Sequence, residues 1–230
     1  MKQLTLDIRP DAPPTLDNFV AGTNAELVAT LALLADPTGK DALPSPHLYL
    51  WGASGSGRSH LLRATAALAT GQQRPMHLIA AAEIGDSLPE TPAALLAIDD
   101  IDQLRADAQI ALFNAFNRSR GNGQSLLLAG PCAPLELMLR EDLRTRIGQG
   151  LIYEVQPLDD DSRAAILVAL AERRGLRLAD EVVDFLLRHG RRDLPSLLAV
   201  LDALDAASLE RKRPVTLPLL REMMQQGLAI

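Results

Sequence analysis

The sequence contains few of the residues that disulfide-bonded, zinc-binding and membrane-spanning proteins require. Cys132 is the only cysteine among 230 residues, and the four histidines show no metal-ligand spacing, so a disulfide framework is excluded and a zinc or redox protein is disfavoured. No window of about 18 consecutive apolar residues occurs, and the first residues lack the apolar core of a signal peptide. These absences predict a cytoplasmic protein without a membrane segment.

Charge and aromatic content argue against nucleic acid as the main ligand. The 23 Lys and Arg residues are outnumbered by 29 Asp and Glu residues, which gives a formal net charge of −6. Such a balance opposes extensive coating of nucleic acid. Aromatic residues make up only 3% of the chain, which leaves few side chains on which unpaired bases could stack.

The first 18 residues are predicted to form a flexible leader ahead of the folded chain. Residues 3–8 alternate apolar and polar side chains, and the prolines that follow them disfavour a helix. The first helix is predicted to begin at Thr23, because Thr23 and Glu26 have the spacing of a capping box. Asp36 and the proline after it are predicted to end that helix.

Five short apolar runs alternate with helical patterns or loops in the next part of the chain. This alternation predicts an α/β fold with a parallel sheet covered on both faces. The predicted strands are His47–Trp51, Met76–Ala80, Ala94–Ile98, Ser125–Ala129 and Leu151–Val155.

Beyond Pro157 the pattern is helical throughout. The predicted helices cover 160–174, 180–189, 193–211 and 216–226, with acidic or Thr residues at their starts. The predicted organisation is therefore a leader (1–18), an α/β core (19–156) and an all-helical domain (157–230).

The strongest functional signal is a glycine-rich segment directly after the first predicted strand. It has the G-x-x-x-x-G-[basic]-S spacing of a phosphate-binding loop that opens a helix. Gly52, Gly55 and Gly57 let backbone N–H groups turn toward an anion, and Ser59 would coordinate Mg²⁺. Arg58 stands where lysine is usual. The alternative interpretation is a glycine-rich turn that binds no ligand.

The third predicted strand leads into two carboxylates, Asp99 and Asp100. At the carboxyl edge of a parallel sheet, Asp99 would face a Mg²⁺ ion beside the loop, and Asp100 would lie near an attacking water. Two aspartates after a buried strand are otherwise a common helix cap. Their functional interpretation therefore depends on the phosphate-binding loop upstream.

These elements together resemble the AAA+ ATPases, and among them the shortened Hda family of DnaA relatives. Residues 15–24 resemble the DnaA segment that lines the adenine pocket, which makes Phe19, Val20 and Asn24 candidates for nucleotide binding. The loop has the Hda form, which adds His60 to those candidates. The resemblance spans nearly the whole chain and implies a five-stranded parallel sheet of order 5-1-4-3-2 with a helical lid.

Two arginines acquire expected roles from the same resemblance. Residues 142–147 resemble the box VII segment, in which Arg146 would be an arginine finger that acts on a nucleotide bound to a neighbouring molecule. Residues 190–194 resemble the sensor II region, which makes Arg192 the candidate phosphate sensor. Without the resemblance, Arg146 would be interpreted as one more surface arginine.

The sequence departs from the family pattern in two places. Gly130, Pro131 and Cys132 follow the fourth predicted strand, where the family usually places a polar sensor I residue. Together with Arg58, this departure predicts weak or absent intrinsic ATP hydrolysis but retained binding of ADP or ATP. The chain also stops after the lid, where DnaA continues into a helix-turn-helix domain, so direct sequence-specific DNA binding is not expected.

The leader carries a motif of its own. Gln3, Leu4, Leu6 and Ile8 resemble the Q-L-x-L-x-[hydrophobic] motif with which replication proteins dock on the DNA polymerase sliding clamp. Leu6 and Ile8 would fill an apolar pocket, and Gln3 would supply orienting hydrogen bonds. The alternative is an unpaired edge strand.

The resemblance implies a regulator of replication initiation whose substrate lies on a partner. Bound to ADP or ATP with Mg²⁺ and docked on the clamp, the protein would promote hydrolysis of DnaA-bound ATP through Arg146. Two alternatives stay open: a stand-alone P-loop ATPase, and a DnaA-like adaptor or loader for another replication partner. A homodimer is one option for its assembly.

Overall fold

The computed structural model describes residues 13–38, 43–157, 159–189, 194–211 and 213–225. These residues form an α/β unit, 13–157, and a helical unit beyond residue 157. The predicted clamp motif at residues 3–8 and the predicted phosphate sensor Arg192 lie outside the described residues.

The α/β unit is built on one sheet of five parallel strands in the order β2-β3-β4-β1-β5. Read from the other edge this is 5-1-4-3-2, so the predicted order is confirmed. The predicted strands are confirmed with shifts of one residue at some ends. Their bounds are β1 (His47–Trp51), β2 (Met76–Ala80), β3 (Leu95–Asp99), β4 (Ser125–Gly130) and β5 (Leu151–Glu154).

Helices cover both faces of the sheet and make up the second unit. The α/β unit contains α1 (Ala25–Ala35), α2 (Arg58–Gly71), α3 (Ala106–Asn122) and α4 (Glu141–Gly148). The second unit contains α5 (Asp160–Arg173), α6 (Asp180–His189), α7 (Leu194–Arg211) and α8 (Leu217–Gln225). Within the described ranges, no helix has the length and apolar content that a membrane span needs.

The start of α1 differs from the predicted capping box. A 3-10 turn over Gly22–Asn24 precedes the helix, and no side chain caps its first turn. The Glu26 carboxylate instead accepts a hydrogen bond of 3.1 Å from the Tyr153 hydroxyl on β5. Leu16, which lies within the predicted leader, packs against the core of the α/β unit.

Two hydrophobic clusters lie on the two faces of the sheet. Their members alternate along the strands, so that Tyr49 belongs to one cluster and the neighbouring Leu48 and Leu50 to the other. Strands β3 and β4 are buried along almost their whole length, as expected for central parallel strands. A third cluster fills the helical unit, where α5 begins with Asp159 accepting a hydrogen bond of 2.7 Å from the Ser162 N–H.

Arg74 is a buried cation that ties three elements of the α/β unit together. Its side chain donates to the Leu34 carbonyl at the end of α1, to the Ala93 carbonyl (3.0 Å) before β3 and to the Ser125 hydroxyl (2.7 Å) at the start of β4. Hydrogen bonds of this kind are needed to offset the cost of removing a guanidinium from water. The amino-terminal edge of the sheet is therefore held by polar contacts.

His47 forms a buried polar contact between β1, β4 and α3. Its Nδ1 accepts the Leu126 N–H (3.3 Å), which leaves Nε2 to donate to the Ser119 hydroxyl (3.0 Å). Burial, and secondly the Arg120 charge, lower the pKa of His47 from 6.5 to about 4. The folded protein therefore holds this ring in its neutral form.

We expect this histidine to make the stability of the protein depend on pH. Below about pH 6.5 the unfolded chain binds a proton that the folded chain does not bind until about pH 4. As the pH falls through that window, the free energy of unfolding should therefore decrease by about 3 kcal/mol from this group. The His47→Asn variant keeps an acceptor near Nδ1 but does not titrate. Urea unfolding should show a shallower pH dependence for the variant, and equal slopes for both proteins would contradict the assignment.

Candidate nucleotide-binding site

The loop between β1 and α2 requires glycine at positions 52, 55 and 57. Gly55 and Gly57 have φ angles of 77° and 101°, in the left-handed region that other residues rarely adopt. A Cβ atom at Gly52 would lie 2.8 Å from the Val155 carbonyl oxygen, and one at Gly57 would lie 2.7 Å from a ring carbon of Phe19. The chain therefore folds tightly around this loop.

Two polar atoms of the loop are buried without a hydrogen-bond partner. They are Ser56 Oγ and one terminal nitrogen, Nη1, of Arg58. A buried donor without a partner costs free energy, and native proteins retain such groups mostly where a ligand or water completes them. A hydroxyl and a guanidinium nitrogen at the start of α2 are suited to an anion, because the helix N-terminus adds partial positive charge.

An aromatic wall closes one side of the loop. The Phe19 ring lies 5.6 Å from the His60 ring, measured between centroids, and packs against the core. His60 Nε2 lies 3.1 Å from the Thr15 carbonyl oxygen, so it fixes the residues that precede Phe19. Val20 is 38% exposed. The structure thus places two of the predicted nucleotide-binding residues, Phe19 and His60, beside the loop.

Asn24 has a role in the fold that the sequence did not reveal. Its amide donates to the Gln156 carbonyl (3.0 Å) and accepts from the Gln156 N–H (2.9 Å). This pair of hydrogen bonds fixes the chain just after β5. A contact between Asn24 and a nucleotide stays a prediction.

Asp99 and Asp100 lie at the carboxyl end of β3, and Asp100 is near enough to Arg58 to feel its charge. Asp99 ends the strand and its carboxylate accepts the Asp100 N–H at 3.1 Å, while Asp100 adopts a left-handed conformation with φ of 52°. Burial, followed by the charges of Asp99 and Asp102, raises the pKa of Asp100, and the Arg58 guanidinium opposes that rise. The roles of Asp99 and Asp100 at a phosphate-binding site stay predictions.

Tyr49 occupies the space next to the carboxyl end of β4. Its hydroxyl donates to the Cys132 carbonyl at 2.7 Å. A Cβ atom at Gly130 would collide with this same hydroxyl and come within 3.3 Å of Ile101. Gly130 is therefore the residue that accommodates Tyr49. The phenol fills part of the volume that a polar side chain after β4 would need.

The arginines of the α4 region differ in their partners. Arg140 forms a salt bridge of 2.7 Å with Asp142, and Arg144 donates to the Leu135 carbonyl at 3.0 Å. The Arg146 guanidinium lies 5.7 Å from the centroid of the Phe113 ring. Among the described residues it forms no salt bridge, and its hydrogen bond to Gln149 is long, at 3.5 Å. Arg146 is thus the arginine of this helix that is held by an aromatic ring and lacks a carboxylate.

Three residues with a part in these sites were not predicted as site residues. Ser56 lies in an unspecified position of the loop motif, Tyr49 in an apolar strand, and Phe113 on the apolar face of α3. Of the three, only Ser56 could have been identified from the sequence, because it lies within the loop motif. In the part of the chain that the structure describes, no cluster of three or more His, Cys, Asp or Glu side chains is arranged to bind a metal ion.

Comparison with known proteins identifies relatives for both units. The family described as "Hda, lid domain" matches residues 160–224. An uncharacterized protein of Haemophilus influenzae is 31% identical over 236 residues, which cover 97% of this chain and 98% of that protein.

Two solved structures of DnaA share the fold. Domain III of the replication initiation protein DnaA from Thermotoga maritima has a TM-score of 0.74 and 20% identity, covering 95% of this chain and 98% of that chain. AMPPCP-bound DnaA from Aquifex aeolicus has a TM-score of 0.69 and 23% identity, covering 87% of this chain and 68% of that chain. The fold is thus an AAA+ core followed by a helical lid.

A double-mutant cycle tests the contact between Tyr49 and Gly130. Gly130→Ala should lower the free energy of unfolding by about 1–3 kcal/mol, because the new methyl group overlaps the Tyr49 hydroxyl. Tyr49→Phe removes that oxygen, so the double variant should lose less stability than the two single variants added together. Gly121→Ala is the control, since a Cβ atom there meets nothing within 4 Å. Strictly additive losses in denaturant unfolding would show that the contact is not responsible.

Proposed function

Because the chain belongs to the Hda family of DnaA-related AAA+ replication regulators, we propose that it promotes hydrolysis of ATP bound to DnaA. The observation that carries this proposal is the guanidinium of Arg146, which is held over Phe113 and has no carboxylate partner among the described residues. Such a group is available to an anion on another molecule. The phosphates of a bound nucleotide are an anion of the right kind.

The protein's own loop binds ADP or ATP in this proposal. Backbone N–H groups of Gly52, Gly55 and Gly57 would surround the phosphates, with the unpartnered Ser56 Oγ and Arg58 Nη1 completing their coordination. The similarity of the fold to AMPPCP-bound DnaA supports an adenine nucleotide as the ligand. The burial of two unsatisfied donors at this loop is the feature of this chain that fits the ligand.

The remaining predicted nucleotide contacts come from the surroundings of the loop. Phe19 and His60 would form the wall beside the bound nucleotide, with Val20 and Asn24 on the same segment. Arg192, the predicted phosphate sensor, lies outside the described residues, and its part in nucleotide binding stays a prediction.

Ser59 and Asp99 would hold a Mg²⁺ ion, since hydroxyl and carboxylate oxygens are the ligands that this cation prefers. When bound, the ion would neutralise charge on the phosphates. Asp100 would orient water near the phosphates. Burial and the Asp99 charge raise the pKa of Asp100, which makes it a better proton acceptor than an exposed aspartate.

Intrinsic hydrolysis is proposed to be weak. Gly130 contributes no polar side chain at the end of β4, and the adjacent space contains the Tyr49 hydroxyl, which is already bonded to the Cys132 carbonyl. A hydrogen-bond donor that stabilises charge in the transition state must not already be bonded to another group of the protein. The bound nucleotide would then act as a structural ligand.

Arg146 acts in trans in this proposal. A guanidinium next to the γ-phosphate of a partner's ATP offsets charge that develops as the bond to the bridging oxygen breaks. The Phe113 ring beneath it restricts the conformations of the side chain without neutralising its charge. Docking of Gln3, Leu4, Leu6 and Ile8 on the sliding clamp would concentrate the protein on DNA that is being replicated.

The first experiment tests the nucleotide site. We expect ADP with Mg²⁺ to raise the melting temperature of the wild type, and Arg58→Ala to weaken ADP binding by roughly 10- to 100-fold, because a charge-assisted hydrogen bond is lost. Without nucleotide the variant should melt close to the wild type, since Arg58 Nη1 has no protein partner to lose. Thermal shift and calorimetric titration measure both quantities. An unchanged ADP affinity in the variant would exclude Arg58 from the site.

The second experiment tests Arg146. Arg146→Ala should keep the melting temperature and ADP affinity but lose most of the stimulation of DnaA-bound ATP hydrolysis, by about 10³-fold if the arginine acts as a finger. Arg146→Lys should restore only part of the activity, because a lysine cannot present a planar fork. Arg188→Ala, which removes an exposed arginine of the lid, is the control.

Omitting the clamp, the DNA or DnaA in turn separates the alternatives. Hydrolysis that continues without DnaA would indicate a stand-alone ATPase. Clamp binding without stimulation of DnaA would indicate an adaptor or loader. Full stimulation of DnaA by the Arg146→Ala variant would contradict the role of Arg146 as an arginine finger. Arg144 would then be the next arginine to substitute.

A further inference from the structure

The segment between β4 and α4 exposes two large apolar side chains. Leu135 is 84% exposed and Met138 is 94% exposed, whereas Leu137 and Leu139 beside them are buried at 2% and 7%. Full exposure of two neighbouring large apolar groups is unfavourable in water, and in folded proteins it is a mark of contact surfaces. We refer to Leu135 and Met138 as the apolar pair.

The backbone that carries the apolar pair is fixed from both sides. The Arg144 side chain donates to the Leu135 carbonyl at 3.0 Å, and Gln109 of α3 accepts the Arg140 N–H at 2.9 Å. A 3-10 turn over Pro134–Glu136 and the buried Leu137 anchor the segment to the core. A partner that covers the pair therefore need not order this segment, which lowers the cost of binding.

Along the chain, the apolar pair is followed by the residues that line a groove and then by Arg146. A shallow groove of about 550 Å³ is lined by Arg140, Glu141, Asp142 and Thr145, on the first turns of α4. Arg146 follows Thr145 on the same helix, about 9 Å along the axis from Arg140 at 1.5 Å per residue. The apolar pair, the groove-lining residues and Arg146 thus all lie within residues 135–146 of the chain.

We propose that the apolar pair docks on an AAA+ module loaded with a nucleoside triphosphate. That module is the partner whose γ-phosphate Arg146 would contact. This inference rests on the proposed function and assigns the contact that positions the finger. The phosphates would supply the anionic partner that Arg146 lacks among the described residues, and the exposed Leu135 and Met138 would require an apolar surface beside that nucleotide. A second copy of this chain fits less well, because two chains of net charge −6 repel one another.

The test uses the full chain with Leu135→Gln and Met138→Gln together. Both side chains are almost fully exposed, so the melting temperature and ADP affinity should not change. Leu209→Gln on α7, which is 59% exposed, is the matched control. Binding to ATP-loaded DnaA is measured directly by surface-immobilised titration, and stimulation of hydrolysis is measured over a range of DnaA concentrations.

The expected result separates docking from catalysis. The double variant should bind ATP-loaded DnaA about tenfold more weakly and need about tenfold more DnaA for half-maximal stimulation, while its maximal stimulation stays near wild type. Arg146→Ala should show the opposite pattern, with docking retained and maximal stimulation lost.

Two results would overturn the docking role. One is unchanged binding and half-saturation in the double variant. The other is a wild-type chain that self-associates in sedimentation through the pair, with DnaA binding unaffected by the substitutions. If the wild type binds DnaA through the pair but does not stimulate hydrolysis, the docking surface stands and the proposed function fails.

Discussion

The parallel pairing of β1 with β4 on one side and β5 on the other fixes the point at which the phosphate-binding loop leaves the sheet. The Val155 N–H donates to the Trp51 carbonyl at 2.7 Å, and the Val155 carbonyl lies so close to Gly52 that no side chain fits there. Because the strand cannot shift, the loop must turn within a few residues. Gly55 and Gly57 make this turn with positive φ angles, a conformation in which successive backbone N–H groups can form an anion-binding nest.

Two arginines of the α/β unit differ in how the fold satisfies their buried nitrogens. Arg74 is buried near the amino-terminal edge of the sheet, where carbonyl and hydroxyl oxygens accept hydrogen bonds from its side chain. Arg58 begins α2 with one terminal nitrogen buried and without a partner. The first arrangement offsets desolvation within the protein, whereas the second leaves a buried nitrogen that the proposed anion would satisfy.

The sequence predicted the elements better than their contacts. Strands β1 and β2 have the predicted bounds, because buried parallel strands are short apolar runs with clear ends. The capping box at Thr23 was wrong, since Glu26 finds a tertiary partner in Tyr153, and no local pattern encodes a contact 127 residues away. The contacts of Asn24 with Gln156 and of Tyr49 with Gly130 are likewise not encoded in any local sequence pattern. The loop motif was recognised because its residues are consecutive, whereas the partners of the α4 arginines come from α3 and the preceding segment.

The environments of the two candidate sites point to different tasks. At the carboxyl end of β4 the sheet offers a glycine packed against a phenol whose hydroxyl is already bonded, so little remains there to stabilise developing charge. On α4 an arginine is held over an aromatic ring with no carboxylate to neutralise it. Catalytic electrostatics require groups that are oriented yet unsatisfied before the transition state forms. Arg146 has the features that the proposed action on a neighbouring molecule requires, whereas the end of β4 offers no such group for the proposed hydrolysis at the protein's own loop.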